Sequence, residues 1–248
     1  FNDFEIIKKK CDELNLDLIV TPMDEKSANF IHQLDVAAIK IASADMTNLA
    51  LIEHCATFEL PYFISTGMWN KEDIVKCVEF YKEIGINFSL MLANSTYPTP
   101  FESISLTFLK ELALLSKRYG YSGHERGDFI PVAAVAMGAT IVEKHITLDR
   151  SQKGPDHKAS LLPEEFKEMV RKIRATELAL SQDKHINQQE TLSKELFSKS
   201  ATAKKKIFAG HILTLNDITY KAPGKGIFPH EIKKFLNKTV QNDVDEGH

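Results

Sequence analysis

The sequence predicts an α/β fold, a (β/α)8 TIM barrel followed by a small β-rich domain. Three observations predict it. Strand-like apolar runs alternate with helix-like runs up to residue 180, the pattern of parallel βαβ units. Polar residues collect where those strand-like runs stop, and in such a barrel the strand ends share one face. Residues 193–248 then change to short β-type runs and a turn-rich stretch, KAPGKGIFP.

Taken in order, the chain opens inside a helical pattern, with Ile6, Ile7, Cys11 and Leu14 at helical spacing. Strands are expected over 17–22, 37–43, 61–66, 87–93, 119–123 and 139–145. Helices are expected over 26–34, 47–58, 70–84, 101–119 and 129–138. Pro163 begins a further helix whose apolar face is Phe166, Met169, Val170 and Ile173. The polar run 181–192 reads as a linker, which puts the domains at 1–180 and 193–248. Within the second, SATAKKKI, HILT and DITYKA are the β-type runs. A closed barrel has eight strands, so the first two are expected upstream of Phe1. A doubly wound open sheet is the rival, but no GxGxxG turn follows any strand.

The 248 residues carry a formal net charge of -3, which gives no electrostatic case for nucleic acid. The run Lys204-Lys205-Lys206 reads as solvated surface. No apolar run approaches the ~18 residues of a membrane helix, so no membrane partner is expected. Cys11, Cys55 and Cys77 are spaced too widely for a metal knuckle or a disulfide framework. Free thiols in a reducing cytoplasm are expected, and the first residues are not those of a signal peptide.

The strand ends carry, in order, Thr21; Lys40, Ser43 and Asp45; Ser65 and Thr66; Asn94, Ser95 and Tyr97; Ser122 and His124; Glu143 and His145. His124 and His145 end successive strands, and neutral imidazole is the commonest transition-metal ligand. Hydrogen-bonded structural histidines would fit the same spacing. Lys40 is expected to point inward, because an outward lysine would enter an apolar layer. There it would meet a phosphate or carboxylate, or serve as a Schiff-base nucleophile. Ser43, Ser65 and Thr66 can donate to an anion, with Gly67 easing backbone approach, or can each cap a helix. Asn94, Ser95 and Tyr97 precede two prolines, as substrate contacts or as a rigid loop with a packed tyrosine. In GPDHK, Asp156 could orient a ligand histidine, contact a sugar hydroxyl or bind metal, or cap its own turn.

KIASADMTNL, FISTGM, STYPTP, GYSGH, EKHITLDR and KGPDHKASL stand in the order and at the spacing of a known set of motifs. The chain resembles the N-acetylneuraminate (sialic acid) synthases, the NeuB-like family, over almost its whole length. The tail ATAKKKIFAGHILTLNDITYKAPGKGI resembles that family's C-terminal antifreeze-like (SAF) domain. The resemblance implies condensation of phosphoenolpyruvate with the open-chain aldehyde of an N-acyl-hexosamine, typically N-acetylmannosamine, to a nine-carbon 2-keto acid and phosphate. It implies a divalent ion, Mn2+ first with Mg2+ or Co2+ as alternatives, held by His124 and His145. Thr21, Lys40, Ser43 and Ser65 would contact phosphoenolpyruvate. Asp45, Ser95, Tyr97, Ser122 and Asp156 would position substrates, and Lys40, Asp45, His124, His145 and Asp156 form the expected catalytic set. The resemblance also implies a homodimer in which each small domain covers the partner's barrel mouth.

The match has departures. The family's opening AEIGxNHxG and VKxQ motifs are absent, so a glutamate and a second lysine are expected to be missing. GYSGH stands for the usual GYSDH, which puts Gly123 where an aspartate is common. KAPGKGI stands near the family's RPGTGI, with Lys221 in the neighbourhood of an arginine that reaches the sugar, and MLA stands before the NSTYP stretch where HC or QC is common. A non-catalytic binding module and a Schiff-base aldolase using Lys40 are the two rival functions.

Overall fold

The computed structural model describes residues 2–181 and 183–248. The chain divides into two compact units, Phe1–Ser181 and Gln182–His248.

Six strands form one sheet in the first unit, in sequence order. They are β1 (Ile19–Val20), β2 (Ala38–Ile41), β3 (Tyr62–Ser65), β4 (Phe88–Ala93), β5 (Tyr119–Gly123) and β6 (Ile141–Lys144). All neighbouring pairs are parallel. The helices are α1 (Asn2–Glu13), α2 (Glu25–Gln33), α3 (Leu49–Ala56), α4 (Lys71–Glu83), α5 (Leu109–Leu115), α6 (Phe129–Ala136) and α7 (Pro163–Leu180). The sheet curls into an open half-barrel. In a flat sheet, four strand spacings would hold β2 and β6 about 19 Å apart. Yet Lys40 Nζ on β2 lies 3.7 Å from Glu143 Oε2 on β6.

Strand alternation sorts the side chains. Ile39, Ile41, Ile64, Leu90, Leu92 and Tyr121 pack in one cluster with Ala28, Leu51, Ile74 and Leu109 of the helices. Burying such a side chain stabilises by roughly 1.5–3 kcal/mol, so this layer holds the unit together. Lys40, Ser65, Ser122 and Glu143 alternate with that set and fall on the concave face.

Local sequence sets the helix starts. Asp24 accepts from Ser27 N at 2.6 Å while Ser27 Oγ accepts from Asp24 N, a capping box at α2. Asn70 accepts from Asp73 N at 2.9 Å to start α4. Pro163 opens α7 without needing a donor, and Glu165 accepts from Leu162 N at 2.8 Å.

Two expectations about helices need correction. The helix expected over 101–119 is broken into two short 3-10 turns, Phe101–Ser103 and Leu106–Phe108, before α5. The Asn94 amide donates to Ser103 O at 2.9 Å, taking the carbonyl that a continuous helix would use. Ser105 turns left-handed with φ 54. The expected linker 181–192 instead enters helix α8 (Gln188–Phe197). Asn187 accepts from Glu190 N at 2.9 Å and donates its own N–H to the Glu190 carboxylate. That capping box, N-x-x-E, is present in the sequence and outweighs the polar composition.

In the second unit, β7 (Ser200–Ala203) and β8 (Ile218–Lys221) pair antiparallel. The expected HILT strand is reduced to an isolated bridge, Ile212 with Thr239. Asp217 is buried and accepts from Thr214 N, Thr214 Oγ1 and His211 Nε2. Lys204, Lys205 and Lys206 are exposed. Among the described residues Cys11, Cys55 and Cys77 are free thiols, and no helix is long and apolar enough to cross a membrane.

Candidate active site

The C-terminal ends of the six strands bring most of the expected residues together. Lys40 enters the concave face from β2, its side chain largely shielded from solvent, and donates to the Ile41 carbonyl at 3.1 Å. Burial lowers its pKa from the ordinary lysine value, and the Glu143 carboxylate opposes that shift. Glu143 is itself held by Ser122, whose hydroxyl donates to Oε1 at 2.7 Å. Glu143 therefore links β2, β5 and β6. In the sequence Glu143 stands at a strand end with nothing to mark a role. The signal was the alternation in EKH, which sends Glu143 and His145 to one face.

Three serine hydroxyls stand at the ends of β2, β3 and β4. Ser43 Oγ accepts from Gly67 N at 3.1 Å. A Cβ on Gly67 would stand 2.6 Å from Ser95 Oγ and 2.8 Å from Ser43 Oγ, so glycine is what lets the two hydroxyls converge. Trp69 Nε1 donates to the Ser43 carbonyl at 2.6 Å and fixes that turn. Ser65 is 3% exposed, and its hydroxyl has no hydrogen-bond partner among the described residues. A buried hydroxyl without a partner is costly unless a ligand or water meets it. Thr66 instead donates to the Met91 carbonyl. Thr21 follows β1 and is half-buried.

His124 and His145 face each other with ring centroids 5.2 Å apart, and Tyr97 packs 4.1 Å from His124 and 5.9 Å from His145. His124 Nδ1 lies 2.7 Å from the Asn94 carbonyl. A carbonyl only accepts, so Nδ1 carries the proton and the Nε2 lone pair stays open. Burial lowers the His124 pKa, against the raising effect of the Asn94 carbonyl, which keeps the ring neutral. Among the described residues no group of three or more His, Cys, Asp or Glu could hold a metal. A divalent ion would have two imidazoles from the chain, and the open Nε2 of a neutral His124 fits such a ligand.

Other expected residues take different places. Asn94 serves the site through its carbonyl, while its amide is tied to Ser103. Asp45 accepts from Asn48 Nδ2 at 3.1 Å. Asp156 is exposed in the loop after β6, and its charge, with that of Glu143, helps raise the Tyr97 pKa after burial. His157 closes that loop through Thr147 Oγ1 at 2.8 Å. Lys221 ends β8 in the second unit and is exposed.

Comparison with known proteins decides the family. The NeuB family model matches residues 1–185 and the SAF domain model matches residues 198–248. The chain belongs to the NeuB family. It is similar to human N-acetylneuraminate-9-phosphate synthase, 36% identical over 99% of this chain and 69% of the relative. It is also similar to N,N'-diacetyllegionaminic acid synthase of Legionella pneumophila, 32% identical over 99% of this chain and 71% of that protein. Among solved structures, N-acetylneuraminic acid (sialic acid) synthetase from Leptospira borgpetersenii serovar Hardjo-bovis, in complex with citrate, superposes with a TM-score of 0.71. That structure is 29% identical and covers 77% of this chain and 68% of its own. NeuB membership carries the reaction class, a phosphoenolpyruvate-using synthase of nonulosonic acids, and the use of a divalent metal.

Proposed function

We propose that this NeuB-family protein joins phosphoenolpyruvate to the open-chain aldehyde of an N-acyl-hexosamine, N-acetylmannosamine or a relative. The products are a nine-carbon 2-keto sugar acid and phosphate. The observation that carries the reading is the meeting of Lys40, Ser43 and the unpartnered Ser65 hydroxyl on the same concave face as the His124–His145 pair. A lysine with free hydroxyls suits an anion, and paired imidazoles suit a divalent cation.

Lys40 neutralises charge on phosphoenolpyruvate, and Thr21, Ser43 and Ser65 hydrogen-bond its oxygens. Glu143 keeps Lys40 and Ser122 in place. Ser95, Tyr97, Ser122, Asp45 and Asp156 line up the acceptor. A Mn2+ held by His124 and His145 would supply Lewis-acid polarisation of the aldehyde oxygen. Positioned so, the methylene carbon of the enol bonds to the aldehyde carbon. Water adds to the cationic carbon left behind, the proton it gives up balances the one taken by the former aldehyde oxygen, and loss of phosphate from that carbon leaves the ketone. The reading includes a homodimer and a part for Lys221 in acceptor choice, tested by solution mass and by the acceptor profile of Lys221→Ala.

The reaction is tested with phosphoenolpyruvate labelled isotopically at its bridging oxygen, offered with a panel of amino sugars. Phosphate that retains the label, together with a sugar-dependent 2-keto acid, is expected. Unlabelled phosphate, or release without sugar, contradicts the reading. Borohydride trapping of Lys40 with pyruvate would instead favour the aldolase.

A further inference from the structure

We infer that the buried Glu125–Lys144 ion pair is a positioning device that sets where the His124 and His145 rings stand relative to each other. The inference builds on the reading of those rings as a ligand pair. Glu125 follows His124 and Lys144 precedes His145, so alternation sends both charges to the helix side of the sheet. Both side chains are wholly buried, with Lys144 Nζ 2.8 Å from Glu125 Oε1. The ammonium also donates to the Glu125 carbonyl, and Tyr121 Oη donates to Glu125 Oε2 at 2.6 Å.

Stability does not account for this pair. A buried ion pair is often matched or bettered by apolar side chains of similar volume. Fixing register is the better-attested use of such a pair. The geometry has that effect. The β5–β6 ladder ends at Gly123 opposite Lys144, one residue short of both histidines. Glu125 and Lys144 continue the tie past the last rung. His124 has the Asn94 carbonyl to orient it. The His145 ring meets the Tyr97 and His124 rings and has no hydrogen bond among the described residues, so its place follows from its backbone, which Leu161 N–H holds at the His145 carbonyl at 2.9 Å and Lys144 anchors from the preceding residue. Gly123 completes the device: a Cβ there would stand 2.7 Å from Glu125 Oε2 and 2.6 Å from Tyr121 Cε1.

The test replaces both charges together, Glu125→Leu with Lys144→Met, and compares melting temperature, the metal-free ring geometry and Mn2+ affinity with the parent. Histidine-labelled protein without metal should give an NMR cross-peak between the two rings in the parent, and the double variant should lose it. Calorimetric Mn2+ affinity should weaken by roughly 10–100-fold, while the melting temperature holds or rises. Lys144→Arg, which keeps a cation, should bind Mn2+ close to the parent. A folded double variant that keeps the cross-peak, or binds Mn2+ within about twofold of the parent, overturns the inference. A parent that has the cross-peak but binds no Mn2+ defeats the ligand reading, and the cross-peak in the variant still decides the positioning claim. Should the double variant not fold, Glu125→Gln is read in the same way.

Discussion

Lys40 on β2 and Glu143 on β6 meet across the interior of the half-barrel, ammonium to carboxylate, at 3.7 Å. Burial pushes Lys40 below the ordinary lysine value of 10.5 and Glu143 pulls it back up. The cation that the proposed reaction needs is therefore lost at a lower pH than an exposed lysine would lose it.

The pH dependence of the KM for phosphoenolpyruvate reads this directly. KM is expected to rise on an alkaline limb that lies below 10.5. Glu143→Gln removes the raising partner, so the limb moves to lower pH. Lys40→Arg keeps its charge throughout, so the limb disappears even if binding is weaker. A limb unmoved by Glu143→Gln would separate Lys40 from phosphoenolpyruvate binding.

Gly67→Ala is expected to damage substrate binding more than stability. The added methyl would meet the Ser43 and Ser95 hydroxyls at 2.8 and 2.6 Å, and short side chains can give way at modest cost. A KM for phosphoenolpyruvate raised about tenfold corresponds to ~1.4 kcal/mol. The melting temperature is the control, and equal losses in both would make Gly67 a packing residue only.

Gly123→Asp, the residue common in the family motif, is expected to destabilise this chain by about 1–3 kcal/mol through overpacking. Its carboxylate would also crowd that of Glu125. Urea unfolding measures the loss. A neutral result would mean that Glu125 can leave its buried place freely.

Much of the first unit was legible because its signals are local. The strand ends placed Ser65 and His124 on one face, the apolar outer layer turned Lys40 inward, and the strands themselves followed from short apolar runs. The break before α5 was not legible, because the Asn94 amide that captures Ser103 O lies nine residues away and acts through the fold. Glu125 and Lys144 escaped for a related reason: charges in a sequence read as surface, and only the packed sheet puts them together. The start of α8 could have been found from Asn187 and Glu190, whose capping box is local.

Asp217 gives the second unit an acid limit. Hydrogen bonds, from the Thr214 hydroxyl first and then His211, hold its carboxyl well below the usual carboxylate range. A carboxylate depressed on folding contributes fully above its unfolded value of about 3.9, and that contribution is lost as pH falls below it. Exchange of the Thr214 amide, which donates to Asp217 at 2.9 Å, should accelerate relative to its intrinsic rate as the solution is acidified through that range. Asp217→Asn should expose the amide already at neutral pH and flatten the acid response. Protection unchanged in the variant would contradict this account.

The most direct measurement is phosphate release from phosphoenolpyruvate with Mn2+ and N-acetylmannosamine or its relatives, comparing the parent with His145→Ala. The account predicts release that needs both sugar and metal and disappears in the variant. Release that survives His145→Ala, or a folded parent that releases no phosphate with any of these sugars, would contradict it.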